Sequence, residues 1–375
     1  MRKIEMVDLR AQYYKYQGEI DQAIRNVLES SAFIKGPEVH LFEEELKKYI
    51  GSENVISCAN GTDALYLALM ALGLDPGDEV ITTNFTFIAT VETVALMNLK
   101  PVLVEPDPGT FNISVEAVRK AITPKTKVII PVHLFGQCAA MDELIDLCRQ
   151  HNIYIIEDAA QATGAEYKHN NGSVKKAGTI GNIGTTSFFP SKNLGCYGDG
   201  GALYTNDGQI AAKIRSIANH GMKVRYHYSD VGINSRLDTI QAAILRVKLK
   251  YLDEFNEKRR KVADYYDEAF SGCNSITTPL RSGNSTHIFH QYTLKIKDGK
   301  RDELKNYLEK NGIPSMIYYP GPLHRQEAYR YLGYGIDDFP VTDALCNEVL
   351  SLPVHPDMEM EQLEHITVKV LNFFS

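Results

Sequence analysis

Between Asn54 and Asn206 the chain alternates short β-rich runs with stretches of helical periodicity, and this alternation restricts the fold more than any other feature of the sequence. The candidate strands are Asn54–Cys58, Glu79–Thr83, Pro101–Val104, Lys127–Val132, Ile153–Glu157, Thr185–Phe188 and Gly201–Thr205. Several are separated by apolar residues at i, i+3, i+4 and i+7 spacing, as in Ala64, Leu65, Ala68, Leu69 and Leu72, which is the pattern of an amphipathic helix. Strands in series with helices predict an α/β fold: a mainly parallel seven-stranded sheet flanked by helices on both faces. Ligands of such sheets bind beyond the carboxyl ends of the strands, so the residues that follow each strand are where chemistry is expected.

From Leu237 a long helical pattern runs to about Phe270 and includes the charged run from Asp253 to Arg260, which reads as a solvated helix face rather than a partner surface. Beyond Cys273 come His287–Ile296, a helix near Arg301–Asn311, Ser315–Tyr319 and a final helix from about Met360. A chain of 375 residues exceeds one minimal core. The expected division is a large domain over 36–250, a smaller C-terminal α+β domain over 251–375, and an N-terminal segment, 1–35, packed on the smaller one.

The net charge of −7 argues against a binder of duplex nucleic acid or of an anionic membrane, since either needs a concentrated basic field. The longest apolar runs, such as Val128–Val132, have the length of a strand and not of a bilayer-spanning helix. Charged residues interrupt Met1–Ile20, unlike a signal peptide. The six cysteines are scattered, with no C-x-x-C pair and no zinc-like spacing. Packing roles in a reduced cytoplasm, and no bound metal, are the expectation.

Three strand ends carry unusual residues. After the first comes Ala59-Asn-Gly-Thr-Asp63, entering a helix directly. Gly61 lets backbone approach a ligand, Thr62 can cap the helix, and the free amides of a first turn make an anion site; a plain turn with an N-cap is the alternative. After the fifth comes Glu157-Asp-Ala-Ala-Gln161. A carboxylate ending the apolar run Ile153–Ile156 is costly to bury without a cationic or hydrogen-bonded partner; a protonated ring nitrogen would supply one, and an Asp that caps the following turn is the alternative. After the sixth comes Ser187-Phe-Phe-Pro-Ser-Lys192, followed by a glycine-rich stretch to Gly201. A loop lysine at this edge is either simply solvated or a Schiff-base nucleophile for a carbonyl ligand. An anion cradle, a buried acid and an amine are together the three contacts that pyridoxal phosphate needs.

The run from Gly36 to Ala243 closely resembles the nucleotide-sugar aminotransferases of the DegT/DnrJ/StrS family, and a weaker likeness covers nearly the whole chain. The matching motifs are Asn60–Leu65, Thr86–Thr90, His133–Gln137, Glu157–Gln161, Ser187–Gly195, Gly198–Ala202 and Val231–Asp238. The resemblance implies the fold-type-I architecture of pyridoxal-phosphate enzymes, with Lys192 carrying the cofactor and Asp158 pairing with its ring nitrogen. It also implies that Gln161 contacts the ring phenolate oxygen, that Gly61, Thr62 and Ser187 hold the phosphate, and that Phe87 stacks on the ring. Asn234 is similar to the asparagine by which family members reach the partner subunit's phosphate, which implies a homodimer with shared sites.

The implied reaction moves an amino group from glutamate to a nucleotide-linked keto-sugar for surface polysaccharide or lipopolysaccharide biosynthesis. The likeness is greatest to members that aminate a UDP-linked 3-oxo-glucuronate. In those, the arginine of N-S-R-L-D and a His-Tyr pair before a proline bind the sugar. This chain keeps Arg236 and Tyr319 but has Tyr318 in place of the histidine. Amination at carbon 4 of a deoxy-sugar and a non-catalytic, cofactor-binding regulator are the competing readings. A sugar dehydratase on the same scaffold would carry histidine in place of Lys192.

Overall fold

A computed structural model describes all 375 residues. Seven strands, β1 (Asn54–Cys58), β2 (Glu79–Thr83), β3 (Lys100–Val104), β4 (Thr126–Ile130), β5 (Tyr154–Asp158), β6 (Ile183–Ser187) and β7 (Gly201–Thr205), form one sheet in the order β1-β7-β6-β5-β4-β2-β3. Only β7 runs antiparallel to its neighbours β1 and β6. The remaining pairs are parallel. Each expected strand is present, shifted by at most two residues at either end. The largest shift at a start is in β6, where Gly184 offers no side chain to reveal the strand.

Both faces of the sheet are covered, so apolar residues stand at consecutive positions, as in Val80–Ile81, Val128–Ile130 and Ile155–Ile156. Val80, Val128, Ile130 and Ile156 belong to one buried cluster, packed under Gly61–Leu72 and Gly208–Ile217. Their sequence neighbours Ile81, Ile129 and Ile155 belong to another, with Leu144, Leu147 and Cys148 of the helix Met141–His151. The two-residue period of a strand thus divides one sequence between two cores. Each fully buried aliphatic side chain contributes on the order of 1.5–3 kcal/mol.

A third core joins the helices Leu252–Phe270 and Met360–Phe374 to a three-stranded antiparallel sheet of Ile276–Thr277, Tyr292–Ile296 and Val349–Leu352. The helical pattern expected to run unbroken from Leu237 to Phe270 is two helices, Thr239–Leu249 and Leu252–Phe270. Tyr251 leaves helical geometry between them (φ −109°, ψ 2°), and its ring packs 4.2 Å from that of Tyr16.

The first 35 residues divide their contacts instead of covering the C-terminal unit alone. Ile4 enters the C-terminal core, and Gln362 donates to the carbonyls of Arg2 and Lys3. The helix Leu9–Ser30 lies instead along Thr239–Leu249, because Tyr16 and Ile20 match the apolar face of Ile244 and Val247. No helix is long and apolar enough to cross a membrane.

Candidate active site

The carboxyl ends of β1, β2, β5 and β6 open into one cavity of about 640 Å³. Nine of the residues singled out in the sequence line it: Gly61, Thr62, Phe87, Asp158, Gln161, Ser187, Lys192, Tyr318 and Tyr319.

At its β1 end the helix Gly61–Leu72 begins. The cap is not Thr62 but Asn60, whose side chain accepts from the Asp63 amide at 2.7 Å. Asn60 stands in extended backbone, as an N-cap does, so Thr62 falls in the first turn and is left to face the cavity. The Gly61 and Thr62 amides donate to no acceptor in the chain. The absence of a side chain at position 61 is required by packing, since a Cβ there would stand 2.6 Å from Cβ of Ser187. First-turn amides, the helix dipole and the Ser187 hydroxyl therefore converge on one point, the arrangement that binds a phosphate.

The paired acids of β5 separate to opposite faces of the sheet. Glu157 is fully buried and accepts from His133 Nε2 at 2.7 Å and from the amides of Gly178, Ile180 and Gly181. Burial pushes its carboxyl up, but His133 and the amides outweigh that and hold it below the usual range. The Ala139 amide donates to His133 Nδ1, so the proton of that ring is on Nε2, facing Glu157. Glu157 is thus satisfied within the protein. Asp158, 6% exposed, faces the cavity, with Oδ2 accepting from Thr90 Oγ1 at 2.9 Å and Oδ1 from the Ala160 amide at 3.1 Å. These two bonds fix the orientation of the carboxylate and leave acceptor capacity for a cationic ligand atom.

Lys192 lies in the loop after β6, with no hydrogen bond or ion pair to its ammonium. Burial lowers it to about 8, partly opposed by the attraction of Asp158. Gln161 is held between two walls, accepting from the Phe135 amide at 2.8 Å and donating to the Tyr319 hydroxyl at 3.1 Å. Burial raises the hydroxyls of both Tyr318 and Tyr319. Phe87 is 55% exposed, an apolar ring standing at the cavity mouth.

Two expected residues lie elsewhere. Arg236 lines a separate cavity of about 280 Å³ with Lys35, His40, Glu43 and Arg215. Asn234 is exposed and forms a bridge with Asn219. Arg236 also forms no ion pair with Asp238 at the start of the following helix. Conversely, Thr86, His290, Gln291 and Asp199 line the main cavity without having been singled out. Thr86 Oγ1 and His290 Nδ1 are buried there without a protein partner. Thr86 and Thr90 were visible in the motif Thr86–Thr90, whereas nothing local marks His290.

Comparison with known proteins agrees with this geometry. Residues 15–371 match the family described as DegT/DnrJ/EryC1/StrS aminotransferase. The chain is 44% identical to a pleiotropic regulatory protein of Geobacillus stearothermophilus, over 99% of this chain and 98% of the relative. It is also 44% identical to UDP-2-acetamido-2-deoxy-3-oxo-D-glucuronate aminotransferase of Pseudomonas aeruginosa, over 98% of this chain and 100% of that one. Among solved structures, DesV of S. venezuelae in complex with a ketimine intermediate superposes with a TM-score of 0.96 at 36% identity, covering 100% of this chain and 99% of the other.

Proposed function

The chain belongs to the DegT/DnrJ/EryC1/StrS aminotransferase family, and on that premise we propose that it transfers the amino group of glutamate to carbon 3 of a UDP-linked keto-sugar of the uronate type. Family membership makes it a transaminase dependent on pyridoxal phosphate. The observation that carries the reading is the meeting of Lys192, Asp158 and the Gly61–Ser187 cradle in one cavity. The residues fit the cofactor: unbonded first-turn amides for its phosphate, a pinned carboxylate for its ring nitrogen, an unpaired amine for its aldehyde. The large, cofactor-bearing unit spans about 36–250 and the smaller unit about 251–375 in this reading.

When bound, the cofactor supplies an electrophilic carbon and a ring that draws electrons from the substrate. Gly61, Thr62 and Ser187 hold the phosphate, Asp158 keeps the ring nitrogen protonated, Gln161 donates to the ring oxygen and Phe87 covers the ring face. Lys192 would hold the cofactor by its amine and, when that amine is free, would be placed to carry a proton to or from the substrate carbon. An amine lowered to about 8 is suited to that exchange near neutral pH. Six free cysteines suit a reducing cytoplasm.

The Gly61 contact gives one test. Gly61→Ala forces a methyl group into Ser187 and should weaken cofactor binding more than it weakens the fold, with an overpacking cost of about 1–3 kcal/mol. Titration with pyridoxal phosphate alongside a thermal melt separates the two effects. Unchanged affinity would remove Gly61 and Ser187 from the phosphate site.

Because Asn234 and Arg236 stand outside their own chain's cavity, they serve as site residues only by reaching the cavity of a second copy. Activity should therefore require a dimer. Specific activity followed by sedimentation over a dilution series is expected to fall as dimer is lost, and an active monomer would contradict this. A guanidinium matches a uronate carboxylate bidentately. Arg236→Lys should therefore cost about 2–5 kcal/mol, roughly 30-fold to several-thousand-fold, in the keto-sugar half-reaction. The glutamate half-reaction should change little. Equal loss in both, or a clear preference for a 6-deoxy sugar lacking any carboxylate, would show that the uronate reading is wrong while leaving the transaminase standing.

A further inference from the structure

The loop that carries Lys192 is gripped by one face of the helix Thr239–Leu249. Gln241, near its start, accepts from the Tyr197 amide at 2.8 Å and donates to the Tyr197 carbonyl at 3.4 Å. Lys248, seven residues later and so on the same face, donates to the carbonyl of Gly195. Its ammonium also stands 5.1 Å from the centre of the Tyr197 ring. Lys248 is 1% exposed and has no carboxylate within ion-pairing distance. A lysine so placed gives up hydration that one carbonyl and one aromatic face only partly replace, a costly way to close a loop that Gln241 already holds.

We infer that Lys248 is a positioning residue for transamination, fixing through Gly195 the backbone that aims Lys192 into the cavity. This rests on the role assigned to Lys192 above. The loop between the two lysines is tightly wound: the Lys192 amide donates to Phe189 at 2.8 Å and the Cys196 amide to Phe188 at 2.8 Å. A Cβ at Gly195 would meet the Pro190 carbonyl at 2.4 Å. Movement of the Gly195 peptide is therefore transmitted to Lys192 and not absorbed in between. Burial lowers Lys248 to about 8, and its donation to the Gly195 carbonyl is of the stronger, charge-assisted kind while the amine is protonated. Ile244 on the same stripe of the helix and Val247 beside it pack on Leu9–Ser30 in a cluster that includes Tyr197, which gives the grip a rigid base.

The test uses Lys248→Met in the holoenzyme, a change that keeps the stem's volume and removes the charge. The change relieves the desolvation of an ammonium that has no ion-pair partner but leaves the Gly195 carbonyl without its donor, so only a modest change in melting temperature is expected. A displacement of about 1 Å at a reacting group costs up to about 100-fold. The expected result is a tenfold to hundredfold fall in kcat for both half-reactions, with KM for glutamate within about twofold. The fraction of bound cofactor that borohydride fixes to Lys192 should fall in parallel. Gln241→Met should lower kcat in the same direction. Unchanged kcat and borohydride fixation in a folded Lys248→Met variant would overturn the inference, as would a loss explained by unfolding in Lys248→Met with full activity in Gln241→Met. Turnover by the wild type in the same assay separates this outcome from a failure of the transaminase reading.

Discussion

Lys192→Ala is expected to abolish turnover while leaving a folded protein that still takes up pyridoxal phosphate non-covalently. The phosphate cradle of Gly61, Thr62 and Ser187 does not involve the Lys192 side chain, so binding through that end survives. What is lost is the covalent hold and the proton carrier together, and no other amine among the cavity residues can take over. Borohydride should fix cofactor to the wild type at Lys192 and leave the variant's peptides unlabelled, read by peptide mass analysis. The amine attacks only when neutral. Because burial lowers it to about 8, the rate of cofactor capture by apoprotein should rise about tenfold per pH unit below 8 and level off above it. A plateau reached only near the pH of an ordinary lysine would show that burial does not lower this amine, and turnover retained in Lys192→Ala would dismiss the assignment.

Asp158→Asn should cost both half-reactions alike, by roughly 10²–10³-fold, the scale of removing one preorganised electrostatic contact at a reacting centre. The variant preserves shape. Thr90 Oγ1 and the Ala160 amide still find an amide oxygen, though only one of the two can be served at full strength. The missing feature is negative charge, without which the ring nitrogen is not held protonated and the ring draws electrons less strongly. Both half-reactions break a bond at a carbon joined to the same ring, so neither is spared. Single-turnover rates with glutamate and with keto-sugar check this. A loss confined to one half-reaction would make Asp158 a substrate contact and not a cofactor contact.

The sheet and the cavity differed in how much of each could be read in advance. A short β-rich run bounded by turn residues and followed by a helical pattern is a local signal, so β1 to β7 appear at their places with bounds shifted by at most two residues. Asp158 and Lys192 stand out because a charge at the end of an apolar strand, or beside prolines and glycines, breaks the local pattern. His290 and Gln291 do not: they reach the cavity from residues about 100 positions beyond Lys192, and only the packing of the C-terminal unit on the sheet brings them there. Thr62 was misread as a cap because Asn60 and Thr62 both have capping chemistry, and the backbone turn alone decides between them. Glu157 and Asp158 were a single acidic signal in the sequence. The pleat separates them into a structural carboxylate held by His133 and one left to face a ligand.

Relatives of equal identity, 44%, bear the names of a regulatory protein and of an aminotransferase. The site accords with the aminotransferase family to which the chain belongs, because a protein that only sensed the cofactor would need the phosphate cradle but neither a pinned Asp158 nor an unpaired Lys192. The measurement that decides is a two-step absorbance experiment on holoenzyme. Addition of glutamate should bleach the visible band of the cofactor as its nitrogen is handed over, and addition of a UDP-linked 3-oxo-glucuronate after removal of free glutamate should restore it with one equivalent of 3-amino sugar. A band that persists with every amino donor, in protein that borohydride labels at Lys192, would contradict transamination and leave a cofactor-binding protein in its place.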